Sequence, residues 1–198
     1  MFRHRSAIGL LVMPTTRIFA YAYRLLPSRL LRRFARQQDG SAAVEFGMVA
    51  LPFIGLTFAI LETALVFFAG QTLETAVTDS ARLIMTGQAQ TNGWSKDDFK
   101  NAVCNHIYGL FDCATGIYVD VKTYTSFAAI NQTPPVTNGQ LDTANLNYSP
   151  GNVGDIEVVT LYYQWPVYVS LLSNNLSTLN GNNRLLIATA VFRNEPFQ

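Results

Sequence analysis

The stretch FGMVALPFIGLTFAILETALVFFAG, residues 46–70, is a long apolar run that decides how this chain folds. Its 25 residues hold a single charged side chain, Glu62. A helix needs about 20 apolar residues to cross the hydrocarbon core of a bilayer. A buried core helix of this length would need apolar neighbours on every side, and too little chain is left to supply them. We therefore predict one membrane span over about residues 45–70.

Transfer free energies favour insertion despite the carboxylate. Between Val44 and Phe68 the chain has 14 Val, Leu, Ile or Phe residues, which together contribute about −4 to −8 kcal/mol toward insertion. One carboxylate near the centre of the span opposes this by about 3 kcal/mol. The balance still favours a span, and Glu62 is predicted to lie at the outer interface or to serve in helix packing.

The charges that flank the span predict its orientation. Eight of the 14 basic residues lie within residues 1–36, and Arg82 is the first basic residue after the span. Because positively charged flanks stay in the cytoplasm, we expect the N terminus inside and the C-terminal part outside. The leader arginines alternate with leucines, which favours a basic amphipathic helix on a membrane surface over an arm that binds nucleic acid. A secretory signal peptide is an alternative, since small residues occur near Ala69 and Gly70.

The helical pattern continues beyond the apolar run. Apolar or small residues recur on one helix face at Leu73, Ala76, Val77, Ser80, Ala81 and Ile84. Gly87 is placed to end this helix in a left-handed cap. We therefore predict one long helix over residues 41–87, which begins as a span and ends as an amphipathic outer half.

Some residues of the span are candidates for bending or packing the helix. Pro52 is a candidate kink. Gly55, Ala59 and Thr63 recur every four residues, as in the small-residue faces through which membrane helices pack closely. Chance spacing in an apolar helix is the alternative interpretation.

Residues 88–198 have the composition of a soluble domain. Ser95 is a candidate cap for a short helix that begins after it. Alternating or β-branched and aromatic residues predict strands at residues 117–125, 155–165 and 184–194. Residues 128–154 are rich in Asn, Thr, Pro and Gly and predict a long surface loop, and residues 167–176 are predicted as a short helix or turn. The predicted fold class is α+β, with the long N-terminal helix packed against a small antiparallel sheet of about three strands.

The two cysteines, Cys104 and Cys113, are expected to form a disulfide. They lie on the predicted outer side of the membrane, where disulfides persist. Closing a loop this short is worth roughly 2–3 kcal/mol in the chain-entropy model. Two buried thiols or a metal pair are alternatives, although His106 is the only nearby imidazole and its spacing from Cys104 is poor for a metal site.

No catalytic constellation is evident in the sequence. Of the two histidines, His4 lies in the basic leader, and His106 is predicted to be a surface helix residue. Asp155 and Glu157 alternate with apolar residues and are predicted on the wet face of a strand. Tyr162, Tyr163 and Trp165 are predicted as core and membrane-edge aromatics, with a binding platform as the alternative. We therefore predict no enzymatic activity, no metal and no cofactor.

The stretch QQDGSAAVEF, residues 37–46, has a glycine, small residues and a glutamate directly before an apolar helix. It resembles the type IV prepilin cleavage motif. The helix through TDSARLIMTGQAQ and the ending VFRNEPF are more narrowly similar to TadE-like pseudopilins of the tight-adherence (Flp) pilus system. The resemblance covers residues 37–90 well, the last dozen residues suggestively, and the middle only by architecture. The leader is long for this class, which leaves Met1 and Met13 as candidate start residues.

The resemblance implies a role and a set of partners. A prepilin peptidase would cut between Gly40 and Ser41 on the cytoplasmic side and leave Glu45 as the fifth residue of the mature chain. The mature protein would be a minor pilin that is required for assembly of an adhesive pilus. Its partners would be other pilins, the assembly machinery of the bacterial inner membrane and the lipid bilayer. The alternative is an uncleaved membrane-anchored periplasmic binding or envelope protein.

The motif also has a physical interpretation. Glycine has no Cβ, so an extended backbone can enter a peptidase cleft closely at Gly40. A glutamate in an apolar setting needs a partner. Cleavage creates one in the new ammonium of Ser41, four residues before Glu45 on the same helix. The resemblance to pilins offers the terminus of the neighbouring subunit as an alternative partner, and a carboxylate at the level of the headgroups is the plainer alternative.

Overall fold

The structure is a computed structural model that describes residues 40–107, 109–168 and 176–197. The predicted leader, apart from Gly40, lies outside the described residues, as do residues 169–175 of the predicted helix or turn. The helices are α1 (Ser41–Met85), α2 (Gln88–Thr91), α3 (Lys96–Cys104) and α4 (Cys113–Gly116). The strands are β1 (Ile117–Tyr124), β2 (Val136–Thr137), β3 (Gln140–Leu141), β4 (Ile156–Pro166) and β5 (Asn183–Arg193).

Helix α1 runs for 45 residues and includes Pro52. The chain divides into two units, one that ends at Phe53 and one that begins at Ile54, so the division falls within α1. The helix ends where the sequence indicates, because Gly87 has a φ of 78° and its N–H bonds to the carbonyl of Ile84. Only glycine fits there, since a Cβ would lie 2.1 Å from the ring of Phe197.

One face of α1 is buried from Ala59 to Ile84. The buried positions recur every three or four residues, with adjacent pairs at 76–77 and 80–81, which keeps them in one stripe along the helix. They include every position on the predicted amphipathic face, while Glu74, Asp79 and Arg82 are exposed. Four of the ten buried residues are alanines, namely Ala59, Ala69, Ala76 and Ala81. Small side chains let the rest of the domain approach the helix axis closely.

The predicted α+β fold class is confirmed. Strands β1, β4 and β5 form an antiparallel sheet in the order β1-β4-β5. Val119 pairs with Leu161, and Leu161 in turn pairs with Ala188. These three side chains point to the same face and belong to the core shared with α1. The sheet therefore lies as one layer on the packed part of the helix.

The segment between β1 and β4 is more ordered than the predicted surface loop. It contains a 3₁₀ turn at Phe127–Ala129 and the two-residue strands β2 and β3. Asn138 and Gly139 make the turn between those strands, both with positive φ. Leu141 and Leu146 are buried with Tyr162 in a second small core on the opposite face of the sheet. The prediction of a surface loop without strands was wrong at these four residues, because a two-residue hairpin is too short to show as a sequence pattern.

Helix α3 and the disulfide complete the domain. Ser95 caps α3, since its Oγ accepts from the N–H of Asp98 while the Asp98 carboxylate accepts from the N–H of Ser95. The predicted disulfide between Cys104 and Cys113 is present, with 5.8 Å between the Cα atoms. It joins the end of α3 to the start of α4, which leads directly into β1.

Candidate processing site and membrane helix

Gly40, Ser41 and Glu45 lie together at the start of α1. Gly40 directly precedes the helix and is exposed, and a Cβ added to it would meet no atom within 4 Å. Ser41 is the first helical residue, and its hydroxyl donates to Oε1 of Glu45 at 3.0 Å. Because positions four apart are neighbours on a helix, the Ser41 backbone nitrogen begins the same turn that presents the Glu45 carboxylate. The peptide bond before Ser41 is therefore next to the only acid in this part of α1.

Residues 41–58 of α1 present apolar side chains in all directions. Phe46, Leu51 and Phe53 are exposed to 75%, 75% and 67%. Patches of this size are rare on the water-facing surface of soluble proteins. Among the described residues, α1 is also the one helix long and apolar enough to cross a membrane, with a mean hydropathy of 2.0 over its best window.

The buried stripe begins within the predicted span. Ala59, Glu62, Val66 and Ala69 are buried, whereas Phe67 and Phe68 on the other side of α1 are exposed to 68% and 60%. One face of residues 59–70 is thus covered by the protein and the other face is open. Within the described structure, no residue of α1 before Ala59 is buried.

Glu62 is the one acid on the buried stripe. It is only 7% exposed, and its Oε1 accepts a hydrogen bond from the backbone N–H of Tyr168. Tyr168 follows β4, so this bond ties the end of the central strand to α1. A buried carboxylate needs such partners because desolvation without them is costly. This geometry places the Glu62 carboxylate against the residues that follow β4, and its predicted role in membrane-helix packing or at the outer interface stays a prediction.

Only part of the small-residue face of α1 is buried by other residues of the described structure. Ala59 is buried, and Thr63 is half-buried with its hydroxyl bonded to the carbonyl of Ala59 at 2.9 Å. A Cβ added at Gly55 would meet no atom within 4 Å, and Pro52 is exposed. The role of Gly55 and Pro52 in helix packing therefore stays a prediction that concerns contacts with other molecules.

Glu157 corrects one inference from the sequence. It is 0% exposed and not on the wet face of β4. Its Oε1 accepts from the N–H of Gly151 at 2.8 Å and from Oγ1 of Thr123 at 3.0 Å. Burial raises the pKa of this carboxyl, and the charge of Asp155 raises it further, while the two hydrogen bonds lower it. The sequence carries no signal for this, because one partner comes from the loop six residues earlier and the other from another strand, 34 residues earlier.

The aromatic residues of β4 belong to cores. Tyr163 is 8% exposed and packs edge-on against Phe111, with 4.7 Å between ring centroids. Tyr162 is 6% exposed on the other face, where burial raises the pKa of its phenol to about 12. Trp165 packs against the main core and is half-buried. Since Tyr162 and Tyr163 point to opposite faces and are buried, they do not form a shared binding platform.

The remaining candidates form no catalytic or metal arrangement in the described part of the chain. His106 is exposed and lies just after α3, with Nδ1 3.8 Å from Oδ2 of Asp79. No group of three or more His, Cys, Asp or Glu residues that could hold a metal ion occurs among the described residues.

These features define a class of protein, in which an apolar helix long enough to span a membrane continues into a small α+β domain. A comparison with protein families then identifies the helix more narrowly, because residues 40–82 match the family described as TadE-like protein. The resemblance drawn from the sequence is therefore confirmed over this segment, which is similar to TadE-like proteins. No curated protein and no solved structure matches the chain.

Proposed function

We propose that this protein is a minor pilin, or pseudopilin, that is required for assembly of an adhesive tight-adherence pilus. A prepilin peptidase removes residues 1–40 by cutting between Gly40 and Ser41. The mature chain begins at Ser41 and is held in the bacterial inner membrane by α1. Its C-terminal domain lies in the periplasm, where it meets other pilins and the assembly machinery. Its role is structural and not enzymatic.

The contact between Ser41 and Glu45 is the observation that carries this proposal. In the uncleaved chain the nitrogen of Ser41 is a neutral amide, and among the described residues the donor to the Glu45 carboxylate is the Ser41 hydroxyl. Cleavage turns that nitrogen into an ammonium on the same helical turn. The Glu45 carboxylate then has a positively charged donor on its own helical turn, in addition to the hydroxyl.

The open surface of residues 41–58 supports the same proposal. Single-span anchoring needs only an apolar helix of sufficient length. A helix that also packs against other pilins has to remain free of its own domain. The described structure leaves this surface uncovered until Ala59, so lipid or neighbouring helices can contact every side of it.

The experiment is complementation of a deletion strain, scored by pilus number and surface adherence. We expect the wild-type gene to restore both. Gly40→Val should fail to restore them, and its product should keep the mass of the full precursor, since a branched side chain blocks the cleft. Glu45→Ala should be processed yet restore few pili. Glu74→Ala is the matched control, because Glu74 is an exposed acid on the outer part of α1.

Two outcomes would overturn the proposal. A deletion strain with normal pili and adherence would remove the assembly role. A Gly40→Val product of the same mass as the wild-type product would remove the processing step.

A further inference from the structure

Strand β5 forms one edge of the sheet, and two hydrogen bonds establish which way its backbone groups point. The N–H of Asn194, one residue beyond β5, donates to the carbonyl of Asp155 at 2.9 Å on the side of β4. The N–H of Leu185 instead donates away from β4, to Oγ1 of Thr178 at 2.9 Å. Since the direction alternates along an antiparallel strand, the odd-numbered residues of β5 turn their N–H and C=O groups outward.

Three outward residues in the middle of this edge have no backbone partner in the part of the chain that the structure describes. They are Ile187, Thr189 and Val191. Before them, the edge is closed by the bonds of Thr178 and Leu179 to the carbonyl of Asn183. The side chains of Ile187 and Val191 are 41% and 39% exposed. The result is a short open stretch of alternating donors and acceptors bordered by apolar side chains.

The opposite edge of the sheet, strand β1, is covered by another segment of the chain. The outward groups of Val121 in β1 are both used, since its N–H donates to Asn147 at 2.8 Å and its carbonyl accepts from Ser149 at 3.1 Å. Protected edges usually carry a lysine, a proline or a covering segment. Residues 185–192, LLIATAVF, include neither charge nor proline. An edge of this kind is a template for another strand.

A polar cavity opens beside the same edge, on the face of the sheet away from α1. It measures about 110 Å³ and is lined by Thr189, Ile187 and Tyr162 together with residues 131–135. The charges of Asp120 and Lys122 in its wall neutralise each other at 2.7 Å. In strand-addition sites, backbone bonds give affinity while such cavities select alternate side chains.

We propose that the open edge of β5 at Ile187, Thr189 and Val191 binds an extended segment of a different protein chain by β-strand addition. A segment of about five residues spans the open stretch, and an uncharged polar side chain fits the cavity beside Thr189. The ends of β5 carry Arg184 and Arg193, which form no ion pair among the described residues. Acidic residues that flank this five-residue stretch on the partner chain complement them.

A second copy of this chain is a poor occupant. Pairing two β5 edges symmetrically requires a two-fold axis perpendicular to the sheet. Because the sheet lies flat on α1, that axis would run across α1 and reverse one of the two helices. Two copies anchored in one membrane in the same direction cannot do this. The β1 edge of another copy is also closed, by residues 147–149.

The test is site-specific photo-crosslinking of the full chain in the cells that produce it. A benzophenone amino acid is placed in turn at residues 187, 189 and 191, and the adducts are mapped by mass spectrometry. We expect adducts to one partner chain. The three crosslinker sites should attach to a single stretch of that chain, at residues spaced two apart. Val136 is the control site, because it is also 39% exposed but lies in β2.

Two lysine substitutions test the same edge while the crosslinker stays at a different residue. With the crosslinker at 189, Val191→Lys should lower the adduct yield roughly tenfold, since a lysine blocks edge pairing. Val136→Lys should leave the yield unchanged. The Cys104–Cys113 disulfide, read as a mobility shift on reduction, shows that each variant has folded.

The crosslinked positions test strand addition at β5 independently of the proposed role in pilus assembly. Adducts scattered over unrelated chains, adducts only to this chain itself, equal yields at 136 and 189, or no adduct at all would each overturn it. A deletion strain with normal pili would instead overturn the assembly role and leave the adduct map standing.

Discussion

Residues 41–58 and residues 59–85 belong to one helix, yet their surroundings are opposite. The first part exposes large apolar side chains such as Phe46 and Leu51, and the second buries a stripe that is rich in alanine. Helix propensity cannot explain the difference, since both parts are helical. What differs is the partner. The second part is covered by its own sheet, whereas the first keeps large apolar side chains exposed within the described structure, as a surface that meets lipid or other proteins does.

The largest expected effect comes from removing a buried side chain of the second part. Leu73 is 0% exposed in the main core, so Leu73→Ala should lower the free energy of unfolding by about 2–5 kcal/mol. Leu56→Ala is the matched change in the first part, where Leu56 is 61% exposed, and it should change that free energy little. Denaturant unfolding in detergent micelles measures both. Equal losses for the two variants would mean that the two parts of α1 do not differ as described.

Breaking the disulfide should affect the domain and not the anchor. Replacing Cys104 and Cys113 by serine should lower the free energy of unfolding by roughly 2–3 kcal/mol, because a short loop is no longer closed in the unfolded chain. Membrane insertion should be unchanged, as checked by extraction of membranes with carbonate. A variant that no longer sediments with membranes would contradict this separation.

Glu62 tests the boundary between the two parts. Glu62→Ala removes the acceptor of the Tyr168 N–H and should lower the free energy of unfolding by about 1.5–3 kcal/mol, the range for hydrogen bonds to charged groups. Glu62→Gln keeps an acceptor oxygen and should cost less. Thermal unfolding of the two variants in micelles shows which substitution lowers the stability more. If Gln were as damaging as Ala, the charge and not the hydrogen bond would be the important feature.

The smallest expected effect is a change in pH dependence at Glu157. Its pKa is raised in the folded protein above the usual 4.5, so between these two values the native state binds more protons than the unfolded state. The free energy of unfolding therefore falls as pH rises from about 4.5 through the raised pKa, and is flat above it.

Glu157→Gln should remove this slope, and Glu74→Gln, at an exposed position of α1, should leave it in place. Chemical unfolding across this pH range measures the difference between each variant and the wild type. A slope that persists in Glu157→Gln would assign it to other carboxyl groups.

Long periodic patterns made much of this fold predictable. The apolar run, the stripe from Leu73 to Ile84 and the cap at Gly87 define α1, and each of the three main strands lies within two residues of its predicted bounds. These features depend on neighbours in sequence, which the sequence displays directly. The helix cap at Ser95 and the disulfide between Cys104 and Cys113 were predictable for the same reason, because each depends on residues that are close in sequence.

Features that depend on distant partners were not predictable. Glu157 looks like a surface residue until Gly151 and Thr123 surround it. The hydrogen bond of Glu62 requires Tyr168, just after β4, to lie against a helix residue 106 positions earlier. The open edge of β5 depends on the strand order, which alternation cannot reveal.

The N-terminal residue of the mature protein tests the central claim most directly. The protein is purified from membranes of cells that carry the prepilin peptidase, and its terminal peptide is sequenced and its intact mass measured. We predict a chain that begins at Ser41, whose free ammonium lies on the turn of Glu45. A protein that retains residues before Gly40, or that is cut elsewhere such as near Ala69, would contradict the account.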